Sequence, residues 1–304
     1  MEVPISIDGY PPMFERLHLA KATLGRAITG KTLYRRVALG LAGLMMAVGL
    51  NVATAQPSQA GWLDLIFSGV RVLQLSNLSD AQEVDLGSGI NSQLVNSGQV
   101  KLHRNSALNT YVNDIGQRLA QVSDRPDIPY TFQIAEDNAV NAFATMGGYV
   151  YVTTGLMAEA DTEAELASVI GHEIGHIAGK HAVKQMRQAA ITQGITGALG
   201  VNRDRLVNIG TQIALQLPAS RSDEYEADRH GFFTMGRAGY DQSDMVSFMQ
   251  KLIRQGSPPE FLSTHPNAAN RVAELQELDE TEAYSDATFG TNEADYSYVV
   301  SSLR

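Results

Sequence analysis

Two histidines four positions apart, His172 and His176, place the strongest constraint on how this chain can fold. On an α-helix such residues leave the same face one turn apart, so both imidazoles can bind one metal ion. Glu173 lies about 100° further round the helix, where its carboxylate can reach a water molecule beside that ion without ligating it. Zinc binds imidazole nitrogens at about 2.0–2.1 Å in tetrahedral geometry. The motif therefore predicts that one helix supplies two ligands to a single zinc ion per chain.

The residues around this motif predict the helix that it needs. Thr162 and Glu165 have the spacing of a capping box, which would start a helix before the motif. Four apolar residues recur at helical spacing on the side away from the histidines: Leu166, Ile170, Ile174 and Ile177. The alternative is a pair of surface histidines on an amphipathic helix. With 7 His and 33 acidic residues in 304, chance would produce the motif in only about 2 of 100 such chains.

A catalytic zinc ion needs a third protein ligand, which must come from elsewhere in the chain. A histidine six residues beyond His176 would give one known arrangement, but that position is Ala182 and the nearest histidine is His181. If the helix continues, His181 lies about 180° round the helix from His172, in line with the apolar residues. We therefore predict a structural role for His181.

A second predicted helix supplies a better candidate for the third zinc ligand. Ser220 and Asp223 have the spacing of a helix cap, and Glu224 and Asp228 follow it one turn apart on one face. Glu224 can then ligate the metal while Asp228 accepts the free N–H of a ligating histidine. Glu226 points to the other side of this helix and is predicted to be solvated. The alternative for such an acidic pair is ordinary charged surface.

The hydrophobic pattern changes to a strand period just before the motif. Residues 130–134 and 149–153 alternate, and a short apolar run lies between them. We expect an α+β fold that is mostly helical, with a small mixed β-sheet beside the active-site helix. An edge strand in this position can pair with the backbone of an extended peptide, although it can equally serve as a roof over the helix. The candidate substrate edge comprises Asn141, Ala142, Phe143 and Ala144.

Composition excludes several classes of function. The chain contains no cysteine, so thiol catalysis, disulfides and zinc sites with cysteine ligands are excluded. The formal net charge is −10, and it becomes more negative when residues 1–55 are left out. Such a chain repels phosphate backbones, so nucleic acid is not expected as a partner.

Residues 1–55 have the features of an export signal or a membrane anchor. Basic residues precede an uncharged stretch at 37–50, and positions 53–55 offer an Ala-x-Ala processing site. The apolar stretch is short for a helix that spans a membrane, which needs about 20 residues. We predict export to the periplasm, with cleavage favoured over retention as a single anchor that associates the chain with the membrane.

Three motifs in this order resemble the HtpX-like and CaaX prenyl protease family of zinc metallopeptidases. They are HEIGH at 172–176, SRSDEYEAD at 220–228, and THP at 264–266 followed by Arg271. The stretches at 141–144 and 147–150 are similar to the edge-strand region of this family. The resemblance implies a gluzincin-like zincin domain in which Glu224 is the third zinc ligand and Glu173 is the catalytic base.

The hydrophobic pattern, the composition and the resemblance together suggest the domain organisation. We place a helical wrap or linker at 56–104, including a helix near 62–75, and the zinc metalloprotease domain at 105–279. An acidic tail at 280–304 is expected to be a flexible end or an added strand. The apolar stretch at 189–217 is expected to be core or a lid. With one candidate membrane segment, the chain is more similar to the soluble branch of the family than to its multi-pass members.

These patterns lead to the hypothesis of a zinc-dependent endopeptidase that acts on proteins, and family analogy suggests misfolded envelope proteins. His265 and Arg271 are candidates for stabilising the oxyanion or for closing the open zinc position. Alternatively, His265 and Pro266 only turn the chain into the next helix. The rival hypothesis is a chaperone or scaffold without proteolytic activity, in which zinc is a structural brace.

Overall fold

The computed structural model describes residues 78–192, 203–216, 219–254, 259–284 and 286–304. The helices in these ranges are α1 (Asp80–Asn96), α2 (Ser106–Ala120), α3 (Thr154–Glu159), α4 (Glu163–Ala178), α5 (His181–Thr192), α6 (Arg203–Gln216), α7 (Arg221–Ala238), α8 (Ser243–Arg254), α9 (Glu260–Thr264), α10 (Ala268–Glu282) and α11 (Glu293–Val300). The strands are β1 (Thr131–Ala135), β2 (Ala142–Ala144) and β3 (Tyr149–Thr153). The predicted export segment and the predicted helix near 62–75 lie outside these ranges. The mostly helical α+β fold is confirmed.

The three strands form one small mixed sheet, as predicted. Strand β3 lies in the centre, parallel to β1 and antiparallel to β2, with Ala142 opposite Val152. Beyond β1, Leu102 forms an isolated bridge with Ala135. Within the part of the chain that the structure describes, no further strand pairs with β2, so β2 is an edge strand.

Helix α4 carries the histidine motif through the interior of the described domain, where residues 164–177 are all buried. It packs so closely against α7 that the backbones of the two helices are almost in contact. A β-carbon on Gly175 would lie 2.4 Å from the backbone oxygen of Ala227, and one on Gly231 would lie 2.8 Å from the backbone nitrogen of His172. Because only glycine permits such an approach, these residues let the acidic face of α7 reach the histidines.

Two hydrophobic clusters hold these elements in place. The larger cluster includes the predicted apolar face of α4 and packs it against α2, α7 and α8, and α10 joins the cluster through α7 and α8. The smaller cluster lies under α1, α5 and α6, and Val207, Ile209 and Ile213 of α6 are buried in it. The described part of the 189–217 stretch therefore contributes to the core, which is one of the two roles expected for it.

The expectation of a flexible or strand-like tail at 280–304 is wrong. Helix α10 continues through Glu282, and α11 packs on the core with Tyr296 and Val300 buried one turn apart. The hydroxyl of Tyr296 donates to the backbone oxygen of Met157 at 2.7 Å. The acidic residues of α11 lie on its exposed face, so the acidic composition concealed an amphipathic helix.

None of the helices within the described ranges combines the length and the apolar character that crossing a membrane requires.

Candidate metal centre

The N-terminus of α4 forms as predicted in one respect and differs in another. The Thr162 hydroxyl caps the helix by accepting from the backbone N–H of Glu165 at 3.0 Å. The Glu165 carboxylate accepts from the N–H of Asp161 at 2.7 Å, so the reciprocal half of the predicted capping box is absent. The cap still starts the helix early enough to bring both histidines onto one buried face.

The two histidines of α4 face each other across one helical turn. The Nε2 atoms of His172 and His176 are 3.0 Å apart, and both rings are buried. Helix α7 begins at its cap Ser220, whose hydroxyl accepts from the N–H of Asp223 at 3.2 Å. One residue later, Glu224 places Oε1 3.4 Å from Nε2 of His176. The structure therefore brings together the three predicted zinc ligands.

A fourth donor, His265, completes the cluster. It follows α9, and its Nδ1 lies 3.3 Å from Nε2 of His172 and 3.3 Å from Oε1 of Glu224. The ring of Phe261 packs against the His265 ring at a centroid distance of 4.4 Å and holds it over the site. Of the three roles considered for His265, this position favours contact with the metal over a simple turn of the chain.

The spacing of these four donor atoms fits zinc. All of them lie within 4.8 Å of one another, and the contacts given above run from 3.0 to 3.4 Å. In a tetrahedral zinc site with bonds of about 2.0–2.1 Å, neighbouring ligand atoms are about 3.3–3.4 Å apart. Nitrogen and carboxylate oxygen are also ligand types that zinc accepts, so the residues present fit this ion.

Glu173 lies beside this cluster with a carboxylate oxygen that has no hydrogen-bond partner. Its Oε1 is buried and lacks a donor within the described residues, although Nε2 of His265 is 3.4 Å away. Burial raises the pKa of Glu173 to about 7. A carboxylate with a pKa near neutrality can both take and return a proton.

Behind the cluster, Asp228 and Arg271 support the ligands. Asp228 Oδ1 lies 2.8 Å from Nδ1 of His172, as predicted for the residue that orients this ring. Arg271 is fully buried and donates to both oxygens of Asp228 at 2.6 Å and to Oε2 of Glu224 at 2.6 Å. Its guanidinium therefore compensates the charge of two carboxylates, and this placement does not favour the predicted oxyanion or gating role.

The same contacts determine the charges of the supporting groups. Burial and the nearby charge of Arg271 lower the pKa of His172 to about 3, so its ring is neutral near neutral pH. Burial alone would raise the pKa of Asp228, but Arg271 outweighs it and holds this pKa below its ordinary value. A neutral imidazole and an ionised carboxylate behind it are the forms that a metal ligand and its partner require.

The prediction that His181 lies on the apolar line of α4 is wrong. The helix ends at Ala178, and Lys180 adopts a left-handed conformation with φ of 54°. His181 therefore opens α5 and turns back, so that its Nδ1 lies 2.7 Å from Nδ1 of His176. Gly179 could have predicted that α4 ends before His181, because glycine commonly ends a helix.

Two acidic residues of α7 differ from their predicted surroundings. Asp223 provides its backbone N–H to the cap, but its Oδ1 lies 3.6 Å from Nε2 of His181. Glu226 is exposed, as predicted, and yet its Oε2 lies 3.2 Å from the same nitrogen and accepts from Lys184 at 3.0 Å. Burial lowers the pKa of His181 to about 4, so its ring is neutral between these groups.

Comparison with known proteins agrees with this geometry. The sequence pattern of peptidase family M48 matches residues 106–279, which is more than half of the chain. The chain belongs to peptidase family M48. The resemblance drawn from the three motifs is therefore confirmed, and the donor cluster, Glu173 and Arg271 all lie within the matched region.

Several curated relatives of this M48 chain are metalloproteases by name. It is 32% identical over 219 residues to a putative beta-barrel assembly-enhancing protease of Vibrio cholerae, covering 66% of this chain and 45% of the relative. It is 28% identical over 237 residues to the mitochondrial metalloendopeptidase OMA1 of Arabidopsis thaliana, covering 76% and 46%. The metalloprotease LoiP of Escherichia coli is 29% identical over 225 residues, covering 70% and 86%. The chain thus spans less than half the length of the first two.

In this M48 chain the predicted substrate edge lies directly beside Glu173, the predicted base. The backbone N–H of Ala144 on β2 contacts the Glu173 carboxylate. Asn141, just before β2, donates to Oε1 of Glu260 at 3.1 Å, which ties the strand to α9. A cavity of about 170 Å³ runs past Glu173 and His176 and is lined further on by Phe143 and by apolar residues of α5 and α6.

Proposed function

We propose that this chain is a zinc-dependent endopeptidase that hydrolyses peptide bonds in extended protein segments. One observation carries the proposal: four donor atoms at zinc-like spacing lie next to Glu173, a buried carboxylate with one oxygen that has no partner among the described residues. A purely structural metal site has no need for an unpaired buried carboxylate, which costs free energy unless something occupies the adjacent space.

The residues divide the chemistry between them. His172, His176 and Glu224 would hold the zinc ion, and the ion when bound would polarise the scissile carbonyl and acidify a water molecule. Glu173 takes the proton of the attacking water and returns it to the leaving amine. Asp228 holds the ring of His172 in the tautomer that leaves Nε2 free to ligate.

The surroundings of the site favour an unfolded polypeptide as substrate. No described strand pairs with the outer edge of β2, so an extended chain can add to it through backbone hydrogen bonds without regard to its sequence. An incoming chain would compete there with the contacts that the N–H groups of Ala142 and Ala144 already make to the Asn141 side chain and to Glu173. The cavity beside Glu173 is also lined by apolar residues, among them Phe143, Val183 and Ile213. Unfolded proteins expose both extended backbone and apolar side chains, whereas folded proteins bury them.

We extend the proposal to misfolded proteins of a cell envelope. The predicted export segment at 1–55 and the presence of beta-barrel assembly-enhancing proteases among the relatives support this location. In this proposal the chain acts in the periplasm, either free after cleavage of the segment or associated with the membrane through it.

Removal of zinc tests the endopeptidase proposal. The purified chain should cleave an unfolded model protein, lose this activity after treatment with a zinc chelator, and regain it when one equivalent of zinc is added. Product formation is followed by gel electrophoresis and mass spectrometry. Cleavage that continues in a sample shown by metal analysis to contain no zinc would contradict the proposal.

The position of His265 favours a second candidate, because four protein ligands are typical of structural zinc sites. In that case the chain would be a zinc-braced chaperone or scaffold for envelope proteins. The same geometry also agrees with a protease in which His265 covers the open position until substrate arrives. The two candidates differ in what happens when this ring is removed.

A His265→Ala variant should retain zinc through its three remaining ligands and should cleave an unfolded protein faster than the wild type. If the uncovered state makes up about 10% of the wild-type population, the gain is at most about tenfold. Initial cleavage rates and bound zinc are measured on the same samples. Loss of zinc without any cleavage would favour the scaffold, and a lower rate with zinc retained would favour an oxyanion role for His265.

A further inference from the structure

The ring of His181 occupies a position that the catalytic scheme above leaves unexplained. It is buried at the start of α5 and packs edge-on against His176, with ring centroids 4.9 Å apart. We propose that His181 is a positioning residue that fixes the tautomer and the ring orientation of His176, so that His176 presents Nε2 to the metal. This inference rests on the proposed function, because it concerns the same zinc centre.

The positions of the protons follow from the contacts. A neutral imidazole carries one N–H and one unprotonated nitrogen. If His176 ligates through Nε2, its proton is on Nδ1 and must be donated to Nδ1 of His181, 2.7 Å away. His181 then carries its own proton on Nε2 and donates it to Oε2 of Glu226, 3.2 Å away.

The opposite order of protons is incompatible with a metal ligand. If Nδ1 of His181 donated to Nδ1 of His176, the proton of His176 would be on Nε2. That N–H would point at Nε2 of His172, 3.0 Å away, and would block the metal. Glu226, at the end of this series of hydrogen bonds, selects the order in which His176 is protonated on Nδ1, because an ionised carboxylate accepts a hydrogen bond but does not donate one.

An ion pair with Lys184 holds the Glu226 carboxylate beside His181. Nζ of Lys184 donates to its Oε2 at 3.0 Å and also lies 3.6 Å from Oδ1 of Asp223. His181, Asp223 and Glu226 are close enough together to suggest a second cation site. The ammonium group of Lys184 already supplies the positive charge there, which favours the positioning role over a second metal ion.

The two histidine ligands are thus supported in different ways. His172 is backed by Asp228, whose charge Arg271 compensates inside the protein. His176 donates to the neutral ring of His181, which in turn donates to the exposed carboxylate of Glu226. Partners of this kind typically contribute about 10–100-fold to metal affinity.

Two substitutions of His181 in the full chain separate positioning from packing. In the His181→Asn variant, the amide oxygen lies where Nδ1 was and can still accept from His176, although less volume is filled. In the His181→Phe variant, the ring is kept but no atom can accept. Zinc affinity, measured by competition with a chelator, should fall about 10–100-fold for His181→Phe and stay within about threefold of the wild type for His181→Asn.

His103 provides the matched control, since it is a half-buried histidine before α2 whose Nδ1 is 3.5 Å from Glu136. His103→Phe should leave zinc affinity unchanged. Asp228→Asn, which alters the support of His172, should weaken zinc binding by an amount similar to His181→Phe. The proposal is overturned if His181→Phe binds zinc as tightly as the wild type, or if the Asn and Phe variants are equally weakened.

A measurement on the unmodified protein is independent of whether these variants fold. In the zinc-loaded chain labelled with ¹⁵N-histidine, two-bond N–H correlations should show His176 protonated on Nδ1 and His181 protonated on Nε2. A proton on Nδ1 of His181, or two zinc ions per chain, would overturn the proposal. If the wild type binds no zinc, the proposed function itself fails. If the wild type binds one zinc ion and cleaves, but the His181 variants or the proton positions differ from those expected, only the positioning role fails.

Discussion

Exchanging Glu173 for glutamine is expected to abolish peptide hydrolysis while zinc remains bound. The amide keeps the size of the side chain but cannot take a proton from water, and general-base catalysis typically contributes about 10²–10⁴-fold to the rate. The four donor atoms do not include Glu173, so the metal content should stay at one zinc per chain. Cleavage rates of an unfolded protein and zinc content are measured together.

The control for this substitution is another buried glutamate of the same helix. Glu165 lies near the N-terminus of α4, where its carboxylate accepts from the backbone of Asp161 and pairs with Lys251. Glu165→Gln should leave the cleavage rate within about twofold of the wild type at temperatures where the variant is folded. Full activity of Glu173→Gln would remove Glu173 from the reaction and with it the proposed mechanism.

Replacing Arg271 by methionine is expected to destabilise the metal-free protein by about 3–5 kcal/mol. The guanidinium is fully buried and donates to Asp228 and Glu224, and its removal leaves two buried carboxylates without a compensating charge. A zinc ion bound to Glu224 would restore part of that charge. Zinc should therefore raise the free energy of unfolding more in this variant than in the wild type.

Urea unfolding with and without zinc measures both effects. Arg229→Met is the matched control, because Arg229 is exposed and its contact with Glu282 is 3.4 Å long. Such surface pairs contribute at most about 1 kcal/mol, so its unfolding midpoint should hardly change. An unchanged midpoint for metal-free Arg271→Met would mean that water or another group compensates the carboxylates.

Local patterns were reliable where one helical turn or one strand decides the outcome. The pair His172 and His176 meets because residues four apart always share a helix face, and the cap at Thr162 starts that helix. Strands β1 and β3 were likewise recognised from their alternation, and β2 from the short apolar run between them. Neither result required knowledge of distant parts of the chain.

The errors arose where a local pattern was extended beyond its range. His181 was assigned to the apolar side of α4 on the assumption that the helix continued, but the helix ends after Ala178 and the chain reverses its direction. The segment at 280–304 was judged by its charge, although Tyr296 and Val300 form a buried helical pair. In both cases the outcome depended on what the segment packs against, which composition does not show.

The sequence by itself determined the histidine pair, the position of Glu173 between them, the helices that carry the motifs and the family to which the chain belongs. Glu224, His265 and Arg271 were predicted to belong to the site, but they lie on elements far apart in the chain, and only the tertiary structure decided how each of them contacts that pair or its neighbours. The physical reason is the close packing of α4 against α7, where Gly175 and Gly231 let the two backbones approach. Distances of 3.3–3.4 Å between donor atoms result from that contact and from the position of α9, which no local periodicity encodes.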